Sequence, residues 1–155
     1  MRIAPDDPTS PDVRPLLEEH LRDMWATSPP ESVHALDPET LAGPDISFFT
    51  AREEGVVIGC GALKHLDSTH GELKSMRTST DARGRGVASR LLEHLLLVAR
   101  ERGYERVSLE TGAEDYFEAA RRLYERYGFT TSAPFADYTD DPNSVYLSRE
   151  LADGA

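Results

Sequence analysis

Arg83-Gly84-Arg85-Gly86-Val87-Ala88 is the stretch on which the reading of this chain turns. It follows a β-type run, Glu72 to Thr78, and opens a segment in which Val87, Ala88, Leu91, Leu92, Leu95, Val98 and Ala99 recur at helical spacing until Gly103 ends it. A helix start offers unpaired N–H groups and the positive end of its dipole, and glycines let an anion approach the main chain closely. Arg83 and Arg85 add positive charge. The competing reading is a basic surface turn whose glycines only bend the chain, and the loop by itself leaves both open.

Outward from the loop, Val107-Ser108-Leu109-Glu110-Thr111 reads as a strand, so that strand, loop, helix and strand form a parallel crossover. A further helix runs from about Asp115 to Tyr127 and closes at Gly128, with strands at Phe129–Thr131 and Val145–Leu147. On the N-terminal side, Ser10 is predicted to cap a first helix with Pro11 in its first turn. Val13, Leu16, Leu17, His20, Leu21 and Met24 form one face, and the helix ends near Thr27. Asp37 followed by Pro38 starts a short second helix that Gly43-Pro44 stops. Ile46–Ala51 and Val56–Leu63 form a hairpin around Glu53-Glu54-Gly55, and Asp67 to Gly71 turns into the strand before the loop. This meander, with Ser89 where a third glycine belongs, excludes a dinucleotide-binding βαβ unit, and no Walker loop is present.

The 155 residues are expected to form one domain, 1–155, with a core that needs no disulfide. The single cysteine, Cys60, lies in an apolar run and reads as a small buried thiol rather than a nucleophile. A formal charge of −11 argues against nucleic acid as a partner. Residues 1–71 and 91–155 carry net charges of −8 and −6, whereas residues 72–90 carry +3, a positive island suited to an anionic ligand. The N-terminus lacks the features of a signal peptide and no stretch has the length of a membrane span, so a cytoplasmic protein without a membrane partner is expected.

The loop resembles the Arg/Gln-x-x-Gly-x-Gly/Ala motif of the GNAT superfamily of acyl-CoA-dependent N-acetyltransferases, and Tyr124-Glu125-Arg126-Tyr127-Gly128-Phe129 follows at a matching distance. The likeness runs from about Ile46 to Leu151. It implies an α/β (α+β), GNAT-like fold: a mixed, mostly antiparallel central sheet of about six to seven strands with a β-α-β crossover and helices on both faces. It further implies that the strands Glu72–Thr78 and Arg106–Thr111 splay, with the pantetheine arm of acetyl-CoA between them like an added strand. Main-chain groups near Met76, Arg77 and Thr78 would meet the arm, their side chains being free to vary. Arg83, Gly84, Arg85, Gly86, Val87, Ala88 and Ser89 would hold the pyrophosphate, and no metal is implied.

By the same resemblance Tyr124 matches the family's general acid, which approaches the sulfur. Its alternative role is a core aromatic, because Phe117, Ala120, Tyr124 and Tyr127 share roughly one helical face. Glu72, 11 residues before Arg83, is the candidate base, with an exposed residue paired to Lys74 as the other reading. His34, His65 and His70 are further candidates. Phe117 stands where many members carry an asparagine seven residues before the tyrosine. The acceptor would lie among His34, Lys74 and Tyr138, in or near the segments 28–34 and 135–144 that set specificity in this fold. Lys74 and Arg77 fall on opposite faces of a regular strand, so both reach the acceptor only if the strand is bulged. Acetyl transfer from acetyl-CoA to a primary amine, on a small molecule or a protein, by direct attack in a ternary complex is the expected function. A non-catalytic acyl-CoA-binding regulatory module is the alternative. A homodimer is compatible with the family.

Overall fold

The computed structural model describes residues 1–151. Its elements are β1 (Arg2–Pro5), α1 (Arg14–Thr27), α2 (Pro38–Leu41), β2 (Ile46–Glu53), β3 (Val56–Asp67), β4 (His70–Thr78), α3 (Val87–Glu101), β5 (Arg106–Gly112), α4 (Glu118–Arg126), β6 (Thr130–Thr131) and β7 (Ser144–Glu150). The strands form one seven-stranded sheet in the order β1-β2-β3-β4-β5-β7-β6. Every pairing is antiparallel except that of β4 with β5, the parallel crossover expected around α3. No helix among the described residues is long and apolar enough to cross a membrane.

The first helix departs from expectation. It starts at Arg14, not at Ser10, whose hydroxyl is engaged instead with the Asp7 carbonyl and the Asp12 carboxylate. Pro15 explains the shift: a helix begun at Ser10 would put its ring against the carbonyl four residues earlier, whereas Arg14 as first residue leaves Pro15 in the first turn. The second helix begins as expected, with the Asp37 side chain accepting from the Thr40 amide at 2.7 Å. Residues Asp115–Phe117 form a 3-10 turn rather than the first turn of α4.

Helices cover both faces. On one, Leu92, Leu95, Leu96 and Ala99 of α3 and Leu123 and Tyr124 of α4 bury against Phe49, Leu63, Leu73, Leu109 and Leu147. On the other, Leu16 and Leu17 of α1 and Leu41 of α2 bury against Phe48, Cys60 and Ala62. The glycines of β3 permit the first contact, since a Cβ on Gly61 would sit 2.9 Å from the Leu95 side chain and 2.6 Å from the Met76 sulfur.

One irregularity in β4 sets the geometry of the whole centre. Cys60 pairs with Arg77 and Ala62 with Lys74, so two steps along β3 oppose three along β4. Ser75 takes up the extra residue at φ +56°, and its carbonyl accepts from the Cys60 thiol at 3.2 Å. The bulge reverses side-chain parity: Glu72, Lys74 and Arg77 all face α1, while Leu73 and Met76 face α3. The left-handed conformation costs a β-carbon-bearing residue about 1–2 kcal/mol and a glycine almost nothing. Ser75→Gly is therefore expected to hold or raise the urea midpoint, and Ser75→Val to lower stability by about 1–2 kcal/mol. Equal midpoints for the two variants would contradict the bulge.

Candidate functional site

β4 and β5 pair over only three residues, His70–Glu72 with Arg106–Ser108, and then part. Beyond that point β4 stays on β3 as far as Thr78, and β5 stays on β7 as far as Gly112. The two inner edges diverge with unpaired main-chain groups along them. A cavity of about 740 Å³ fills the wedge, bounded by β4 from Glu72 to Thr78, β5 from Leu109 to Gly112, the loop before α3, and Ala120, Leu123 and Tyr124 of α4.

At the wide end stands the glycine loop. Gly84 and Gly86 both lie at φ +80° with no atom near the position of a Cβ, so it is the backbone turn, not crowding, that calls for glycine. The first helical bond of α3 runs from the Arg90 amide to the Gly86 carbonyl. Among the described residues no carbonyl accepts from the backbone amides of Gly84 to Ser89, and Gly86 provides no side-chain cap. These donors and the dipole of a 15-residue helix face the cavity.

The predicted site residues fall around this cavity except Arg85, Tyr138 and the alternative histidines His65 and His70. Arg85 turns away to pair with Glu53 at 3.2 Å. Met76 and Arg77 do not have the freedom expected of them. Met76 packs over Gly61 in the core, and Arg77 is held by Glu19 and Asp23 of α1, with Tyr116 3.2 Å from its guanidinium. A buried guanidinium needs such partners to offset its lost hydration. His20, beside this network, is kept neutral by burial and by Arg77, its pKa pulled down to about 4.

Tyr124 projects from α4 into the wedge, with its ring edge-on to Phe129. Burial pushes its pKa up, so the phenol stays protonated. Phe117 packs its ring against Gly112, where a Cβ would meet it at 2.1 Å, and thereby shapes the wall beside α4 with an apolar surface.

On the α1 side, Glu72 is 2% exposed and its Oε2 accepts from the Tyr138 hydroxyl at 2.6 Å and from the Lys74 ammonium at 3.2 Å. Lys74 also donates to the Tyr138 oxygen at 3.0 Å, and His34 stacks edge-on against the Tyr138 ring at 5.0 Å. Three sequence-predicted residues, His34, Lys74 and Tyr138, are thus brought together around Glu72. Glu72 is paired with Lys74 as its second reading held, but buried rather than exposed. A second cavity of about 540 Å³, walled by Lys64 and residues 136–143, meets the first at Ser32, His34 and Glu72. His65 bonds to Tyr104 and His70 to Ser108, both outside the two cavities.

The sequence matches the family model described as "Acetyltransferase (GNAT) family" over residues 11–129. The chain belongs to the GNAT acetyltransferase family. It is 53% identical over 151 residues to the uncharacterized N-acetyltransferase YsnE of Bacillus subtilis, covering 97% of this chain and 100% of that protein. It is 40% identical to the IAA acetyltransferase of Azospirillum brasilense, over 96% of this chain and 97% of that one. An acetyltransferase structure from Streptococcus agalactiae shares the fold with a TM-score of 0.75 at 20% identity, covering 97% and 98% of the two chains. As a GNAT protein the chain is an N-acetyltransferase, and its seven-stranded mixed sheet is the fold the resemblance implied.

Within this GNAT site, sequence reasoning missed Glu110. It stands two residues past the Glu72–Ser108 pair, on the Glu72 face of β5, and accepts from the Ser144 hydroxyl at 2.8 Å. Burial raises its pKa, and the charge of Glu72 adds to the effect. The polar positions of the β5 alternation carried the signal, but only the register with β4 reveals which face they share. Cys60 lies beneath Ser75 with no exposed surface, and burial pushes its thiol up to about 12. Native protein at pH 8 is therefore expected to react with a disulfide reagent at least a hundredfold more slowly than protein in urea. Comparable rates would place the thiol at the surface.

Proposed function

We propose that the protein transfers an acetyl group from acetyl-CoA to a primary amine within a ternary complex, one such unit occupying the chain. The observation that carries this reading is the parting of β4 from β5 directly between the glycine loop and Tyr124. The residues present suit coenzyme A: free amides from Gly84 to Ser89 for the pyrophosphate, and an unpaired edge of β4 from Met76 to Thr78 for the amides of the pantetheine arm. Arg83 adds charge at the mouth of the cavity. Val87 anchors the start of α3 in the core, and Ala88 and Ser89 keep the approach to the amides small. The thioester would supply the activated acetyl group. A cytoplasmic setting follows from use of this donor.

Tyr124 donates a hydrogen bond toward the leaving sulfur and gives up its proton as negative charge grows there. Its raised pKa makes early transfer unfavourable, so the proton moves only when the C–S bond is well broken. The amine enters through the second cavity and reaches the acyl group past Ser32, His34 and Glu72. A carboxylate of the Glu72–Glu110 pair receives the proton that the ammonium must lose before it can attack. Lys74 and Arg77 are both engaged by carboxylates, and the second cavity is bordered by Glu31, Asp137, Asp140 and Asp141. This favours an acceptor without a carboxylate of its own over an amino acid. The rings of His34 and Tyr138, backed by the buried rings of Phe135 and Tyr146, offer surface to such an acceptor. The IAA acetyltransferase relative adds IAA to the compounds worth testing.

The experiment is acetyl-CoA-dependent thiol release against polyamines, aromatic amines, amino acids, aminoglycosides, basic peptides and IAA. Tyr124→Phe is expected to lower kcat about 100-fold with the calorimetric Kd for coenzyme A nearly unchanged. An unchanged kcat would remove Tyr124 from the chemistry. Tight binding with no thiol release from the wild type would favour a regulatory acyl-CoA-binding module.

A further inference from the structure

We propose that Glu110 is the proton acceptor of the acetyl transfer, and that its neighbour Glu72 is a positioning residue that fixes Tyr138 and Lys74. The proposal rests on the acetyl-transfer reading above. It separates two carboxylates that share one face of the sheet and one cavity but not the same surroundings.

Glu72 is already committed. Its Oε2 accepts from Tyr138 and from Lys74, and those two donors also bond to each other. A proton delivered to that oxygen would displace the Tyr138 hydroxyl and the Lys74 ammonium, the contacts that hold the acceptor wall together. With 2% of its surface exposed, Glu72 also offers an incoming ammonium little room.

Glu110 is placed differently. It lies on β5 two residues past the last one paired with β4, so on the β4 side no strand lies across from it, and its side chain borders the open wedge. Among the described residues its carboxylate accepts one hydrogen bond, from the neutral Ser144 hydroxyl. The groups facing it are Glu72 and Lys74 from β4, His34 from the segment before α2, Tyr138 from the loop before β7, and Ser144 with Tyr146 opposite on β7. Burial leads in raising its affinity for a proton and Glu72 adds to it, against the opposing pull of the Ser144 hydroxyl, His34 and Lys74. A carboxylate held above the ordinary range is better matched to an ammonium than one fixed in a salt bridge.

The protons balance. The acceptor ammonium loses two in becoming an amide: one passes to Glu110 and on to water. The N–C bond forms and the C–S bond breaks, the leaving sulfur takes the proton of Tyr124, and the second proton shed by nitrogen restores the phenol. No oxidant or further reactant is required.

The test compares kcat/KM against pH for the wild type, Glu110→Gln and Glu72→Gln, using the two most active panel amines that differ in pKa, so that ionisation of the amine itself is told apart. The wild type is expected to show an ascending acid limb that is the same for both amines. Glu110→Gln should lose that limb and about 100-fold in rate. Glu72→Gln should keep it, displaced to lower pH because a neighbouring negative charge is gone, with KM raised as Tyr138 and Lys74 loosen. Glu110→Asp, which keeps the carboxylate, should retain the limb at reduced rate. Calorimetric binding of coenzyme A reports that each variant is folded. The reverse pattern, with the limb lost in Glu72→Gln and kept in Glu110→Gln, overturns the assignment, as does a limb kept in both. A wild type that releases no thiol with any amine removes the acetyl-transfer reading, and this assignment with it.

Discussion

The sheet comes apart between β4 and β5 after three residue pairs, and the rest of the molecule is arranged around that break. Neither strand is free to close it. β4 is committed to β3 along its whole length and bent at Ser75, and β5 is committed to β7 from Arg106 to Gly112. Main-chain donors and acceptors left open inside a protein are costly unless water or a ligand satisfies them. A donor molecule carrying amides at strand-like spacing meets that requirement, and the free amides at the start of α3 lie at the end of the same wedge.

The bulge at Ser75 gives the break its chemistry. Without it Arg77 would face α3 and Met76 the acceptor side; with it, three charged residues of β4 share the α1 face and the apolar ones share the other. Two of these charges are spent on architecture. Arg77 ties β4 to Glu19 and Asp23 of α1 and, through Tyr116, to the turn before α4, so that one guanidinium braces both sides of the cavity. Lys74 joins Glu72 and Tyr138 into a wall that His34 completes. The positive island seen in the sequence is thus largely neutralised on folding, and the task of holding an anion falls to backbone amides and Arg83.

Local chemistry was readable from residues alone. The glycines at 84 and 86, the Asp37 cap, the stop at Gly128 and the succession of strands from β2 to β7 each depend on a few neighbours, and each is found where the residues put it. What depended on pairing was not readable. β1 is four residues with no alternation, ending in a proline that an edge strand tolerates, and only β2 makes it a strand. The Ser75 bulge leaves no mark in composition, and serine is not a residue that advertises a left-handed turn. Glu110 looked like any polar position of an alternating strand until the register set it beside Glu72. Pro15 was the one local signal that could have corrected the start of α1, since two prolines four apart cannot both lie inside a helix begun at Ser10.

A crystal structure of the protein with coenzyme A bound tests the central point most directly. The pyrophosphate is predicted to lie within hydrogen-bond reach of the amides from Gly84 to Ser89, with the pantetheine amides paired to the main chain of β4 between Met76 and Thr78. A ligand seated elsewhere, or a wedge closed by β4–β5 pairing beyond Glu72, would contradict it.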